Sequence, residues 1–256
     1  MSEDILYERQ GAVAVLRFNR PDELNAVTLD TLAQLVESLD RAVQDGARAV
    51  LLTGNGRAFC AGASLTGGGA TGDLGDRLRN HYNPVARKMA ELDIPIVSAV
   101  NGPAAGAGVG FALGADIVVA ARSAYFLLAF ANIGLVPDAG STWLVARAVG
   151  RAKALEMALL GGRLSAAEAL GAGLITRVVD DEAVFADAMA IAKKLAAMPT
   201  LALGLIRKQI RIALSANLED ALEVEAEHQA IAGASADFRE GVAAFLEKRK
   251  PVFDGR

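Results

Sequence analysis

Cysteine is nearly missing from this 256-residue chain, in which Cys60 stands alone. A lone thiol excludes an intramolecular disulfide framework and any zinc site built on several thiolates, and it fits a reducing, cytoplasmic compartment. Histidine is as scarce. With only His81 and His228, no His pair or His/Cys cluster marks a metal site. Positive charge is not in excess, since 26 lysines and arginines face 30 acids, a formal net charge of −4. Nucleic acid is therefore not an expected partner. A long unbroken apolar run is absent too. The longest apolar stretch, 97–121, is interrupted by Asn101-Gly102-Pro103 and by Asp116, so it reads as strand, turn, buried helix and strand rather than as a membrane span. The start of the chain carries Glu3, Asp4 and Glu8 and shows no signal peptide.

What is present is a core. Apolar residues make up 53% and charged ones 22%, which no disordered segment matches. The 26 glycines against 7 prolines point to tight backbone approaches rather than stiff linkers. Two β-prone runs in Ile5–Asn19, parted by Gln10-Gly11, predict a hairpin. Thr28 caps a helix whose Leu29, Leu32, Val36, Leu39 and Val43 recur at helical spacing until Gly46. Buried strands are expected at Ala49–Thr53, Ile96–Val100 and Ile117–Ala121. The GGGATGDLG stretch, Gly67–Gly75, reads as a mobile surface loop able to close over a ligand, with His81 beside it. After Ile175–Val179, four helical patterns follow without a strand: Ala183–Leu195, Leu201–Leu214, Leu218–Ile231 and Phe238–Lys248. They divide the chain into a core, 1–198, and a C-terminal helical region, 199–256. Their apolar residues suit either a neighbouring subunit or the chain's own core.

Three segments hold candidate chemistry. In LLTGNGRAFCAGASL (Leu51–Leu65) and VNGPAAGAGVG (Val100–Gly110), a strand gives way to small residues that let backbone N–H groups approach a ligand. Two N–H sources on different strand ends suit an oxyanion hole, although glycines also serve close packing alone. In NIGLVPDAGST (Asn132–Thr142), Asp138 follows Ile133, Leu135, Val136 and Pro137. A carboxylate in an apolar wall resists ionising and becomes a usable base, while the same position also suits a helix N-cap. Gly67, Gly69 and Gly72 fit GxGxxG but follow no strand, and neither GASLT nor AGSTW fits GxSxG.

These three segments, in this order and separation, resemble the enoyl-CoA hydratase/isomerase (crotonase) superfamily. The likeness extends from FNRPDELNAV at Phe18–Val27, through LSAAEALGAGLITRVV at Leu164–Val179, to FLEKRKPVF at Phe245–Phe253. It implies an α/β fold, a crotonase-like spiral of ββα units with a C-terminal helical trimerisation region, assembled as a homotrimer or a dimer of trimers. It also implies an acyl-CoA substrate, with coenzyme A entering as part of the thioester and no permanently bound cofactor. Ala63 and Ala107 fall on the oxyanion-hole positions. Leu24, Asn25, Ala26, Ala61 and Leu65 match segments that line the CoA path, and Phe245 and Lys248 match C-terminal positions that reach CoA of the same or a neighbouring subunit.

The departures from the family pattern bear on the reaction. Typical hydratases carry two glutamates, and here those positions are Gly110 and Phe130; the acid position of isomerases and dehalogenases falls on Asp138. Moving a proton from one carbon to another needs one base, whereas adding water employs two groups. The resemblance thus favours an isomerase acting on an unsaturated or epoxidised acyl-CoA. Its rivals are a hydratase that uses Asp138 and a water, and a non-catalytic acyl-CoA-binding or RNA-binding member. Ser64 stands where many members have Asp.

Overall fold

The computed structural model describes residues 3–65 and 72–255. The chain opens with the expected hairpin of β1 (Ile5–Gln10) and β2 (Val13–Phe18), turning at Gly11. In α1 (Leu29–Gln44), Thr28 and Thr31 cap each other reciprocally. The buried stripe of α1 is Leu32, Leu35 and Leu39; Val43 of the expected stripe is exposed. β3 (Ala49–Gly54) is buried throughout. Most of the glycine-rich loop lies outside the described residues, but its end is not a loop. Asp73 caps α2 (Leu74–Arg77) by accepting from the Gly75 and Asp76 amides. A five-residue π-helical turn, Leu78–Tyr82, then runs directly into α3 (Asn83–Glu91).

β4 (Ile96–Val100), the two-residue β5 (Ala104–Ala105), α4 (Ala107–Leu113), β6 (Ile117–Ala121) and β7 (Tyr125–Leu127) follow. The segment after Asp138 is α5 (Ser141–Leu160), which resumes beyond a break at Gly150 (φ 75°, ψ 168°). β8 (Arg163–Ser165), α6 (Ala166–Gly171) and β9 (Arg177–Val179) complete the sheets. The last helices are α7 (Val184–Ala196), α8 (Thr200–Ala213), α9 (Leu218–Gly233) and α10 (Ala236–Leu246). No single helix among the described residues is long and apolar enough to cross a membrane.

The main sheet has the order β1-β2-β3-β4-β6-β9, parallel except for the β1–β2 pair; β5, β7 and β8 form a second, small sheet. Strands buried on both faces read as continuous apolar runs, as AVLLT and IVSAV do. α7 covers β3, β4 and β6 on one side. Because β3 and β4 are parallel neighbours, pairing Leu51 with Val97 and Thr53 with Ala99, the two glycine-rich segments leave the same edge side by side. This placement at the carboxyl ends of adjacent strands is what assembles the site.

Two arginines tie the C-terminal helices back. Arg207, whose side chain is 8% exposed, binds Asp116 and the carbonyls of Met89 and Leu92. Arg48 reaches Met198 O (2.6 Å), Thr200 Oγ1 (2.8 Å) and Phe253 O (2.6 Å).

Candidate active site

Residues 60–64 lie between two other backbone segments. On one side, the Val27 amide donates to Gly62 O (2.8 Å), the Ser64 amide to Val27 O (2.8 Å) and the Ala61 amide to Leu24 O (3.0 Å). On the other, the Phe59 and Cys60 amides donate to Pro103 O, and the Ala105 amide to Cys60 O (2.9 Å). Glycine is required at the crossing. Gly62 has φ 93°, and a Cβ there would stand 2.8 Å from Ala105 O and 3.2 Å from the Ala107 nitrogen. A Cβ at Gly108 would overlap the Cys60 carbonyl oxygen. The two turns are thus in backbone contact. Neither the Ala63 amide nor the Ala107 amide donates to an acceptor among the described residues. Ala107 is the first residue of α4, so its N–H is one of the unpaired donors of a helix start.

Asp138 stands just before α5, at the start of a turn that packs on Gly110 of α4. Its backbone is held, with the Ser141 amide and hydroxyl both donating to Asp138 O at 2.9 and 2.7 Å. In its side chain, Oδ1 is buried without a hydrogen-bond partner. The helix cap is Gly140, and no side chain caps this end, so the N-cap alternative for Asp138 falls away. Burial raises the carboxyl to about 6 from an ordinary 3.8. The apolar wall is not the expected one. Ile133, Leu135 and Val136 point outward, Val136 being 76% exposed, because this segment runs over the surface. The site instead has Tyr82 of the π-turn, whose phenol burial and the Asp138 charge push up to about 12.

The two positions of the missing glutamates have physical occupants. Gly110 packs directly on the turn after Asp138, where a Cβ would overlap Ala139 O and come within 3.0 Å of Ala139 Cβ. Ala139 (φ 50°) and Gly140 (φ 77°) are both left-handed, which bends the turn onto α4. The Phe130 ring is buried, and its Cζ lies 3.9 Å from where a Gly106 Cβ would be. Behind the turn, a cavity of about 480 Å³ is lined by Ala86, Met89, Gly110, Gly140, Trp143 and Leu214 among others, but not by Asp138.

The remaining candidates divide. Leu24 (φ 53°) and Asn25 (φ 58°) form a left-handed pair beside Ala61, and Leu65 is exposed at the end of the segment. The Asn25 side chain does not line a path. It is buried, donating to Asn55 O (2.9 Å) and Ala58 O (2.8 Å) and accepting from the Arg20 amide (2.9 Å). Phe245, 82% exposed, borders a separate groove with Pro199, Ala202 and Phe253, and Lys248 (φ 55°) follows α10. Within one chain, no described contact joins either residue to Ala63, Ala107 or Asp138. Cys60 is buried and its thiol is pushed up to about 12 by desolvation. Among the described residues, no group of three or more His, Cys, Asp or Glu is placed to hold a metal ion.

A family model described as enoyl-CoA hydratase/isomerase matches residues 8–256. The chain belongs to this family and is an enzyme of it, with the crotonase-type α/β fold. The 1,2-epoxyphenylacetyl-CoA isomerase of Escherichia coli K12 is 47% identical, each chain covering 100% of the other. A Rhodobacter capsulatus protein named "Probable enoyl-CoA hydratase" is 45% identical with 98% of both covered. The crystal structure of enoyl-CoA hydratase subunit I from Geobacillus kaustophilus superposes with a TM-score of 0.93 at 35% identity, covering 99% of this chain and 98% of that one.

Proposed function

We propose that the protein is an acyl-CoA isomerase in which Asp138 is the single proton-shuttling carboxylate. The Ala63 and Ala107 amides receive the thioester oxygen. Their two N–H groups draw charge onto that oxygen, which acidifies the carbon next to the carbonyl or the vinylogous one. The Asp138 carboxylate takes the proton and the electron pair moves into the enolate. The resulting carboxylic acid returns a proton to another carbon, so the double bond moves and no water is consumed. A carboxyl titrating near 6 is still ionised at neutral pH, yet it is a stronger base than an ordinary aspartate.

One observation carries the choice of isomerisation over hydration: the backbone of Ala139 occupies the space a side chain at Gly110 would need. With Phe130 at the other position, Asp138 is the only acid among the three. The Escherichia coli relative is named an isomerase of an epoxidised acyl-CoA, which extends the substrate class here to unsaturated or epoxidised acyl groups, those of phenylacetate catabolism included. The sequences HYNPVARKMAEL, VPDAGSTWL and SADFREGVAAFLEKRKP support the same narrowing.

Leu24, Ala26, Ala61, Leu65 and the backbone of Asn25 line the way in for CoA. Phe245 and Lys248 serve the CoA of a neighbouring subunit in a trimer or dimer of trimers in the cytoplasm. Exposed Ile206, Ile210, Leu214, Leu218 and Leu222 of the C-terminal helices support that assembly. The test is a panel of acyl-CoA esters in heavy water, read by mass. Deuterium uptake with double-bond movement is expected. Efficient hydration of crotonyl-CoA with 3-enoyl-CoA esters left unchanged overturns the proposal.

A further inference from the structure

Helix α3 presents one face to the site. Met89 and Ala86 of α3 and Tyr82, the last residue of the π-turn that leads into it, stand at i+7, i+4 and i, and the first two have defined neighbours. The Met89 side chain packs at the far end of α4, its Cε 3.1 Å from where a Gly114 Cβ would be. One turn earlier, Ala86 Cβ lies 3.7 Å from the corresponding point of Gly140, in the turn that packs on Gly110. The register therefore runs backward along α4, from 114 to 110. One further turn, about 5.4 Å, brings Tyr82 level with the start of α4, where Ala107 opens the helix and Gly108 packs on the Cys60 carbonyl.

Tyr82 is only 7% exposed, and its hydroxyl makes no hydrogen bond among the described residues. The electrostatics agree with the register, since burial first and the Asp138 charge second push the phenol up to about 12. It is a permanent donor. The thioester oxygen is served by two amides, and Asp138 acts on a C–H bond; neither needs a third N–H or O–H. The local helix is π rather than α at this turn, a departure that re-aims the side chain ending it and recurs at functional sites.

We propose that Tyr82 is a specificity-determining residue, donating a hydrogen bond to an oxygen carried on the acyl chain within a few carbons of the thioester. This deepens the isomerase reading and rests on its placement of the acyl group between Asp138 and the two amides. An acyl chain with a hydroxyl or epoxide oxygen satisfies the phenol; a plain hydrocarbon chain desolvates it without return, which is how a built donor discriminates.

The experiment is a titration calorimetry comparison of wild type and Tyr82→Phe with butanoyl-CoA and with 2-, 3- and 4-hydroxybutanoyl-CoA. Phenylalanine keeps the ring and hence the packing of the α3 face. The readout is the ratio of affinities, hydroxyacyl over acyl, for the best hydroxy isomer. It is expected to fall about 10-fold in Tyr82→Phe, the worth of one such hydrogen bond. An unchanged ratio, whether both affinities drop together or neither moves, overturns the proposal. Binding needs no proton transfer, so the result stands apart from the fate of Asp138 as base. As a second readout, the acid limb of kcat/KM for a 3-enoyl-CoA should keep its position near 6; a displacement of a unit or more would put Tyr82 on the carboxylate instead and also overturns it.

Discussion

Replacing Asp138 with asparagine removes a charge that folding takes out of water, so the variant should gain stability relative to the wild type as pH rises, while losing turnover. The carboxyl titrates near 6 in the folded protein against an ordinary 3.8. The folded state therefore holds this proton more tightly than the unfolded chain. The stability this gives is fully present below about 4 and is lost as pH rises through 6. At about 1.4 kcal/mol per unit, the loss reaches about 3 kcal/mol near pH 8 and about half of that near pH 5. Asparagine brings its own buried amide at a position where Oδ1 already lacks a partner, and that cost is independent of pH. The change with pH is thus the clean quantity. Urea unfolding of both proteins at equal concentration, between about pH 5 and pH 8, should show the stability difference moving by about 1.5 kcal/mol in favour of Asp138→Asn. In the same variant, kcat/KM should fall about 10²–10⁴-fold while acyl-CoA affinity stays within a few-fold. Parallel stability curves, or near-full turnover, would refute the reasoning.

In the wild type, kcat/KM should rise about tenfold per pH unit below 6 and level off above it, since the ionised carboxylate is the active form; a rate flat across that range contradicts a base titrating there. Gly110→Ala should lower stability by about 1–3 kcal/mol and slow turnover by displacing the Asp138 turn, and Gly110→Glu should gain no hydratase activity, as coupled hydration assays would report. Asn25→Ala removes three hydrogen bonds from a buried side chain and should cost about 1–3 kcal/mol by urea unfolding, since the Asn55 carbonyl and the Arg20 amide lose their partner while Ala58 O keeps only Asn101. Light scattering on the intact protein should show an oligomer at micromolar concentration, and a chain cut near Pro199 should be monomeric or insoluble; a monomeric intact protein removes the role given to the exposed faces of α8 and α9.

Much of this fold is written at the scale of one element. The capped helix after Thr28 and the apolar strands at 49–53, 96–100 and 117–121 announce themselves because burial repeats along each of them. Strands β5, β7 and β8 do not, as two or three residues hold no period to detect. The break at Gly150 hides the second half of α5 for a related reason: a glycine that closes one helix reads as an end even where another helix begins at once.

The site follows the same division. The small residues around Gly62 and Gly106 are visible as a pattern, but only the parallel pairing of β3 with β4 makes them neighbours. That Asp138 would resist ionising is legible from its setting, whereas the source of its burial is not, because the apolar residues beside it in sequence face solvent. Family likeness places Asn25 along the CoA path without showing that its amide is consumed inside the fold. Tyr82 escapes notice beside His81, since Asp138, whose charge its phenol feels, is far along the chain.

The contact between Gly110 and Ala139 bears on how such an enzyme changes its chemistry over generations. A glutamate codon at 110 is not a usable first step, because the side chain has nowhere to go while the 138–140 turn rests on α4. The turn must move before the carboxylate arrives, and moving it disturbs Asp138, the aspartate proposed above as the base. A lineage passing from one reaction to the other would cross an interval with neither, unless a duplicate gene carried the first activity through it. Libraries built to convert this scaffold should for that reason vary 138–140 together with 110, since one-at-a-time scanning samples only the dead intermediate.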